Sequence, residues 1–537
     1  MTSTPIKLKI PAQDLAAPTR FSANVADVSN WLQSLPDASL AGELSSALAE
    51  LNSCAISPQV RYDILEVLRP QVENANAQLA RHYLNQSPLV STDVLGHAEQ
   101  ADQLCTLLGT AYTIVGVEVC TQGGAGKTAK LACEAIHRAL MCCGRAVLQT
   151  MQLYRPLHMD GWMNLHQLYA LAQQQKIAEL PVPDPLDAGP TITAAYLQAI
   201  LLGCCQPNRS RQSDLAVLYK ALGDWSQHVA LHPTPSDGSL FVVDIDSDQP
   251  PLYRHLVPEE TTGRRLYLDT AQLLLDLREL HERALRTGAT FESGSRLPVN
   301  ILEQVVAALS TKRSRTFKRM LSRKTLAISP GMKNCHYYVA SGLIFEQVLY
   351  GAIFEASRLI KEERFTPPLP NTDIWHEANP HEDFIHSTMN QAQEWVQLDE
   401  ASRARLFRDE IDDGLADGVS HYPVYQVPLA DVSPGGYCLD LDPAFPGVLR
   451  TGELVCLQED NNSAWQIAVI RWLHMPSESR LLAGLELLSP RARAFGACIH
   501  DKSGKKTPPM RALLLPEIKI IGQAATLVTP RAGFREG

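Results

Sequence analysis

The sequence predicts a multidomain α+β protein in which an all-helical N-terminal scaffold precedes an antiparallel β-barrel that carries a long insertion. Three observations predict this fold class. The first third of the chain follows the 3.6-residue spacing of amphipathic helices. Short runs with strand character occupy the region from about residue 422 to residue 490. A chain of 537 residues is also too long for one ordinary core, so we expect roughly two to four domains.

Composition and charge narrow the classes of function. With 45% hydrophobic and 20% charged residues, the chain has the composition of a soluble globular protein. A net charge of −10 argues against general nucleic-acid binding. No apolar run reaches the ~18 residues of a membrane span, and the N-terminus lacks the apolar region of a signal peptide. We therefore expect a cytoplasmic protein with no nucleic-acid partner and no membrane insertion.

The cysteines and histidines do not predict a metal site. The twelve cysteines lack C-x-x-C pairs, a pattern typical of buried thiols in a reducing compartment. His376, His381 and His386 recur every five residues among acidic residues. This spacing matches neither one helix face nor a zinc finger, so a surface loop explains the histidines better than a bound metal.

The helical scaffold is predicted to span residues 1–235. Ser57 stands before a proline, which is a typical helix start. Lys127 to Tyr154 reads as a long helix that is interrupted at Gly144. Asp160 is positioned to cap the helix that follows.

A bridging α/β module is predicted at residues 236–310, between the scaffold and the barrel. Leu240 to Ile245 reads as a buried strand, and Arg265 to Leu268 precedes a helix that begins at Asp269. A second helix, Asn300 to Leu309, leads the chain into a cluster of basic residues.

One stretch of the scaffold favours a different function. The run QGGAGKT ends at Thr128 and resembles the deviant Walker A motif of ParA/MinD-type ATPases, and it follows the strand-compatible run Tyr112 to Cys120. In such a P-loop Lys127 reaches the phosphates, while Thr128 and Asp244 hold Mg²⁺. The chain lacks the usual first glycine and signature lysine of that motif, and the residues that follow read as helix. A glycine-rich turn between helices is the competing interpretation.

The second chemically distinctive stretch, DVSPGG at residues 431–436, lies between the strand-like runs Tyr422 to Leu429 and Tyr437 to Leu441. An ionised Asp431 can accept hydrogen bonds from the N–H edge of a guanine, and Ser433 can donate to or accept from a ligand oxygen. Gly436 lets the backbone approach a ligand closely. The stretch resembles the D/N-x-S-x-x-G signature of PilZ domains, the small β-barrels that bind cyclic di-GMP.

The residues after this motif strengthen the resemblance. Leu449 to Leu457 reads as a turn and a strand, and Trp465 to Trp472 and Arg480 to Leu488 read as two further strands. Their order is similar to that of the remaining strands of a PilZ barrel. Beyond them, Met510 to Gly522 and Ala524 to Pro530 alternate like two more strands, so residues 491–537 are predicted to form a C-terminal β extension.

The other half of the PilZ signature is R-x-x-x-R ahead of the first barrel strand. Arg315 and Arg319 satisfy that spacing, and so do Arg319 and Arg323. Arginine suits the task because its planar fork grips phosphate or guanine edges and stacks on a purine. A basic segment that complements the C-terminal dipole of the preceding helix is the alternative.

The two halves of the signature are much farther apart than in most PilZ domains, which predicts an insertion. The barrel is expected at residues 311–490, with the inserted segment at about 343–420. Thr325 to Ile328 and Asn334 to Val339 have strand character, and Leu343 to Glu363 then turns helical.

The resemblance implies a non-enzymatic cyclic-di-GMP receptor without a cofactor. Arg315 and Arg319 would bind the phosphates and guanines of the dinucleotide. Asp431, Ser433 and Gly436 would surround a guanine, and Arg323 would be a further candidate for ligand contact. A helical region followed by a split PilZ domain is similar to polar receptors that promote type IV pilus assembly on surface contact, which implies partners in the pilus assembly machinery and a place at the cell pole. The P-loop ATPase and a ligand-free PilZ-like interaction scaffold remain the alternatives.

Overall fold

The computed structural model of the chain describes residues 6–84, 92–123, 126–184, 190–258, 263–287, 297–310, 319–351, 422–442, 445–446, 449–459, 464–477, 480–499, 507–517 and 524–530. The chain divides into two compact units. The first comprises residues 1–316, 442–451 and 472–482, and the second comprises residues 317–441, 452–471 and 483–537.

The first unit is mainly helical, as predicted. Its α-helices are α1 (Val25–Gln33), α2 (Leu40–Asn52), α3 (Pro58–Tyr83), α4 (Thr92–Gln122), α5 (Lys127–Gln152), α6 (Gly161–Gln174), α7 (Ile192–Cys204), α8 (Gln212–Trp225), α9 (Ala271–Thr287) and α10 (Val299–Leu309). Ser57 precedes the first residue of α3 as predicted. The predicted break at Gly144 is wrong, because α5 continues through it. A Cβ at Gly144 would overlap the hydroxyl of Tyr219 on α8, so this glycine permits close helix packing.

The start of α6 differs from the prediction in the identity of its cap. Asp160 occupies the N-cap position but makes no capping hydrogen bond through its side chain. The carboxylate of Asp248 takes that role, accepting from the backbone N–H of Asp160 at 2.7 Å and of Met163 at 2.9 Å. A loop distant in the sequence therefore accepts from the otherwise unpaired backbone N–H groups at the start of this helix. The residues next to the helix in the sequence do not reveal this partner.

A small antiparallel sheet lies beside the helices of the first unit. Its strands are β1 (Ala230–His232), β2 (Ser239–Asp244), β3 (Leu252–Tyr253) and β4 (Arg265–Asp269), in the order β1-β4-β2-β3. Phe241 and Leu268 of this sheet are buried in the same apolar core as the helices. Asp269, predicted to begin a helix, ends β4 instead, and its carboxylate accepts from the N–H of Ala271 at the start of α9.

An ion-pair cluster joins the N-terminal segment to this sheet. Asp246 receives hydrogen bonds from Arg264 at 2.8 and 3.0 Å, and Lys7 lies 3.5 Å from the same carboxylate. The hydrogen bond from Arg264 holds the pKa of Asp246 at about 2, below its ordinary value of 3.8. A carboxyl group with a depressed folded pKa stabilises the protein above about pH 4, and this contribution is lost as the pH falls toward 2.

Asp246→Asn is therefore expected to lower the free energy of unfolding by about 2 kcal/mol at pH 7. Urea denaturation of wild type and variant checks this value, and the difference between them should shrink between pH 4 and pH 2. Asp63→Asn is the control, because Asp63 is exposed and surface substitutions usually change stability by less than about 0.5 kcal/mol. A difference between wild type and Asp246→Asn that does not change with pH would contradict the assignment.

The expectation that no apolar run reaches the length of a membrane span is wrong, because one helix segment among the described residues is long and apolar enough to cross a membrane. It is Val94–Gln122 of α4, 29 residues in length. Its most apolar window is 56% buried within the protein, and Leu104, Ile114 and Val115 are fully enclosed. Such burial is typical of the central helix of a helical core.

No disulfide bond joins the cysteines of the described residues. All twelve lie within the described residues, and nine of them are buried. Cys498 is exposed, whereas Cys120 and Cys143 are partly covered. The prediction of mostly buried thiols is confirmed by this distribution.

The second unit is organised around the barrel. Its strands are β5 (Met320–Leu321), β6 (Thr325–Pro330), β7 (Tyr425–Ser433), β8 (Gly436–Leu441), β9 (Leu454–Gln458), β10 (Gln466–Ser477) and β11 (Arg480–Ser489), the last two of which extend into the first unit. The order β7-β6-β9-β10-β11-β8 closes on itself because β8 also pairs with β7. Apolar side chains such as Leu326, Leu439 and Leu457 fill the interior. The predicted antiparallel barrel is confirmed.

Two regions of the second unit differ from the prediction or extend it. The run Asn334 to Val339, predicted as strand, forms part of helix α11 (Met332–Val339), and α12 (Phe345–Tyr350) follows it. Buried Cys335 on α11 packs against Ile467 and Leu513, so tertiary contact outweighs the β-propensity of the tyrosines and valine.

A three-stranded sheet completes the unit, with strands β12 (Arg493–Ala497), β13 (Met510–Leu515) and β14 (Thr526–Val528).

The sheet order is β12-β13-β14, and β12 was not predicted. Most of the predicted insertion, with His376, His381 and His386, lies outside the described residues.

Candidate functional site

Strand β5, which follows the cluster of basic residues, pairs with strand β7 of the barrel. In β5, Met320 pairs with Val432 and Leu321 pairs with Asp431. Strand β6 continues along the same edge of β7, with its register displaced by one residue. The two strands are therefore one antiparallel partner of β7, interrupted by a bulge at residues 322–324.

The DVSPGG motif forms the hairpin that joins β7 to β8. The sequence places the motif between two strands, whereas in the structure β7 extends through Ser433 and β8 begins at Gly436. Ser433 and Gly436 face each other in the ladder, and the Ser433 hydroxyl donates to the Gly436 carbonyl oxygen at 3.3 Å. Asp431 and Ser433 consequently belong to a strand, which holds their backbones more rigidly than a loop.

A β-bulge turns Asp431 out of the barrel. Val427 and Leu429 point into the interior and are 2% and 7% exposed. Strict alternation would place Asp431 on the same buried face. The register between β7 and β8 shifts between Leu429 and Asp431, so that Ala430 is the extra residue. Bulges redirect side chains, and here the side chain of Asp431 is 22% exposed.

Arg319 lies directly beside this carboxylate. Its Nη1 is 3.2 Å from Asp431 Oδ2, although the two residues are 112 positions apart in the sequence. The side chain of Arg319 is 37% exposed. A surface ion pair of this kind contributes about 0–1 kcal/mol, so each partner can be exchanged for a ligand group at small cost.

Of the other two predicted arginines, the structure describes Arg323 and not Arg315. Arg323 is exposed and lies in the bulge between β5 and β6, four residues after Arg319. Arg315 lies outside the described residues. Of the two predicted arginines that the structure describes, Arg319 is the one in contact with the motif.

Gly436 is required by the packing of the barrel itself. A Cβ at this position would overlap the backbone carbonyl oxygen of Leu485 on β11. Next to it, Gly435 accepts a hydrogen bond from the N–H of Leu487 at 3.0 Å. The sequence suggested that this glycine lets a ligand approach, and the structure adds a separate reason for the absence of a side chain.

Tyr437 was not recognised from the sequence, where it reads as an ordinary strand residue. Its hydroxyl donates to the carboxylate of Glu459. Burial, together with Glu459, raises the pKa of Tyr437 well above its usual value, so the phenol keeps its proton at neutral pH. This donor borders the motif on the side of β8.

The elements on either side of the glycine-rich run are not the strand and helix that the P-loop alternative requires. The run Tyr112 to Cys120, predicted as a strand, is part of helix α4, and α5 begins at Lys127. Gly123 and Gly126 have φ values of +68° in the turn between these helices. Asp244 ends β2 in an antiparallel sheet, whereas a P-loop follows a strand of a parallel sheet. The glycines make a helix–helix turn instead.

Comparison with known proteins identifies the family. The model of the FimW N-terminal domain matches residues 26–236, that of the middle PilZ domain of cyclic-di-GMP receptor FimW matches residues 240–494, and that of the FimW C-terminal β-barrel domain matches residues 495–537. Cyclic-di-GMP receptor FimW of Pseudomonas aeruginosa is 32% identical over 99% of this chain and 88% of its own length. The chain belongs to the FimW family.

The resemblance to PilZ domains is thereby confirmed, and the FimW-family protein described here is a homologue of a cyclic-di-GMP receptor. The contact between Arg319 and Asp431 lies within the part that matches the middle PilZ domain of the FimW family. No solved structure matches the chain.

Proposed function

We propose that this protein is a non-enzymatic receptor for cyclic di-GMP. The observation that carries the proposal is the contact between Arg319, one arginine of the R-x-x-x-R half of the signature, and Asp431 of the other half. The relative named as a cyclic-di-GMP receptor supports the same ligand. Both groups have the chemistry that a guanine dinucleotide needs, since one offers a bidentate cationic fork and the other an acceptor.

In the proposed complex, the ion pair between Arg319 and Asp431 opens and each partner turns to the ligand. Arg319 donates to a phosphate or to the acceptor edge of a guanine, with Arg315 as its partner and Arg323 in reserve. The Asp431 carboxylate accepts from the N–H edge of a guanine. Ser433 and Gly436 lie beside it in the same hairpin. The exchange costs little because the pair is partly exposed to solvent.

Binding would change how the segment ahead of β5 is held. That segment connects the barrel to α10, so a ligand that grips its arginines acts on the chain between the barrel and the helices. A ligand-dependent change in such a connecting segment is a common form of switch. No cofactor and no catalytic step are part of this proposal.

Isothermal titration with cyclic di-GMP tests the receptor function. Arg319→Ala and Asp431→Ala are each expected to weaken binding about 10- to 100-fold, because each removes hydrogen bonds that involve a charged group. Arg20→Ala is the matched control, since Arg20 is also a partly exposed arginine, 34% exposed and 2.9 Å from Glu50. Both Arg20→Ala and Lys127→Ala should bind as wild type does.

The outcomes of this titration separate the alternatives. A wild-type protein that does not bind cyclic di-GMP would be a ligand-free PilZ-like interaction scaffold. Retained affinity in Arg319→Ala and Asp431→Ala would place the ligand elsewhere. A parallel titration with Mg·ATP is expected to show no binding, and binding that is abolished by Lys127→Ala would restore the ATPase hypothesis.

We further propose that the receptor acts in the cytoplasm, at the cell pole, on the type IV pilus assembly machinery and thereby on surface attachment. The support is the resemblance of the domain arrangement to polar pilus-promoting receptors. Counting surface pili in a deletion strain complemented with wild type or Arg319→Ala tests this role. Only the wild-type gene should restore piliation, and equal restoration by both would separate the pilus role from ligand binding.

A further inference from the structure

Strand β5 carries an unusual pair of apolar side chains. Leu321 is 95% exposed and Met320 is 65% exposed. No other large apolar side chain in the described part of the chain is more exposed than Leu321. Single exposed leucines are ordinary on protein surfaces, so exposure alone says nothing about function. The position of this leucine relative to the candidate site is what gives it meaning.

The strand register places the two side chains on opposite faces. Leu321 stands directly opposite Asp431, and Met320 stands directly opposite Val432. Residues that face each other across a ladder project to the same side of the sheet, and neighbours along a strand project to opposite sides. Leu321 therefore shares the face of Asp431, and Met320 does not. Arg319, two residues before Leu321, reaches the same carboxylate.

We infer that Leu321 forms an apolar wall of the ligand site and covers one face of a purine base. The inference rests on the proposed function. A carboxylate recognises a guanine at its edge, which leaves both faces of the ring in water unless other groups cover them. Directly opposed residues in an antiparallel pair have Cα atoms about 4.5–5.5 Å apart, within reach of a base held at Asp431.

The energetics favour contact over continued exposure. Covering an exposed leucine and a base face removes apolar area of both from water. Pairing of β5 with β7 holds the backbone of Leu321 in place before the ligand arrives, so little further ordering is needed. Arg319 and Leu321 would thus act together, one on the charged or polar edge of the ligand and the other on its apolar face.

Titration of cyclic di-GMP into Leu321→Ser tests the inference, and Met320→Ser is the matched control on the same strand. Leu321→Ser is expected to weaken binding about tenfold or more, whereas Met320→Ser should stay within about twofold of wild type. Leu321→Met should restore most of the affinity because it keeps an apolar side chain. The melting temperature of each variant without ligand should equal that of wild type, since neither side chain is buried.

Each outcome decides a different point. Wild-type affinity in Leu321→Ser, with the expected losses in Arg319→Ala and Asp431→Ala, overturns the apolar wall and leaves the receptor proposal intact. Equal losses in Leu321→Ser and Met320→Ser also overturn it, because the effect would then not depend on the face. A wild-type protein that does not bind cyclic di-GMP overturns both proposals.

Discussion

Asp184→Asn is expected to lower the free energy of unfolding by about 3 kcal/mol, because it removes the fully buried carboxylate that two buried arginines share. Glu66 and Glu73 remain at 3.3–3.8 Å from these arginines but are partly exposed, so they compensate for the loss only in part. Asp184 Oδ1 lies 2.6 Å from Nη2 of Arg69, and Oδ2 lies 3.0 Å from Nη1 of Arg138. The three side chains are 0%, 6% and 3% exposed. Burial, the largest single effect, lowers the pKa of Arg69, but the hydrogen bond and charge of Asp184 together with nearby groups such as Glu73 outweigh it and raise the pKa.

Chemical denaturation of the full chain measures this loss, and an exposed ion pair supplies the control. Glu43 lies 3.5 Å from Arg20, and both side chains are more than a third exposed. Glu43→Gln should therefore cost no more than about 1 kcal/mol. A loss for Asp184→Asn as small as that for Glu43→Gln would mean that water or other acceptors replace the buried carboxylate.

Gly436→Ala is expected to destabilise the barrel by about 3 kcal/mol and to weaken cyclic-di-GMP binding at least about tenfold. The added Cβ would overlap the carbonyl oxygen of Leu485, which belongs to the backbone of β11 and cannot rotate away. The start of β8 must therefore move. Because Ser433 pairs with Gly436, this movement also displaces the hairpin that carries Asp431.

Thermal unfolding and titration of the same variant measure the two effects. Gly96→Ala is the control, because a Cβ at Gly96 of α4 meets no atom within 4 Å. An alanine there should raise stability by up to about 1 kcal/mol through helix propensity and leave binding unchanged. If Gly436→Ala melts like wild type, the close contact with β11 does not constrain this position.

Much of the fold follows from local patterns along the chain. The apolar and β-branched content of residues 465–472 and 480–488 predicts strands, and β10 and β11 cover these runs except for Trp465. The hairpin chemistry at residues 431–436 likewise marks the turn between β7 and β8. Local patterns failed at Asn334 to Val339, where a helix covers the end of the barrel core, and at Tyr112 to Cys120, where β-branched residues lie inside α4. In both places packing against distant residues outweighs the local preference.

The candidate site was predictable in its chemistry and less so in its geometry. Residue types and spacing pointed to Arg319 and Asp431, because a cationic fork and an acidic hairpin suit a guanine dinucleotide. The short strand β5 was not predicted, because two residues are too few to show a periodicity. Its consequence, an exposed Leu321 opposite Asp431, was equally invisible in the sequence.

The sequence by itself determined the division into a helical region followed by barrel strands and the residue types of both half-motifs, since these depend on side-chain periodicity and turn chemistry within a few residues. Only the tertiary structure decided that Arg319 contacts Asp431 across 112 positions and that a bulge at Ala430 turns the carboxylate outward. The physical reason is that strand register is set by closure of the whole barrel. Partners on β6, β9 and β8 are contributed by segments far apart in the chain.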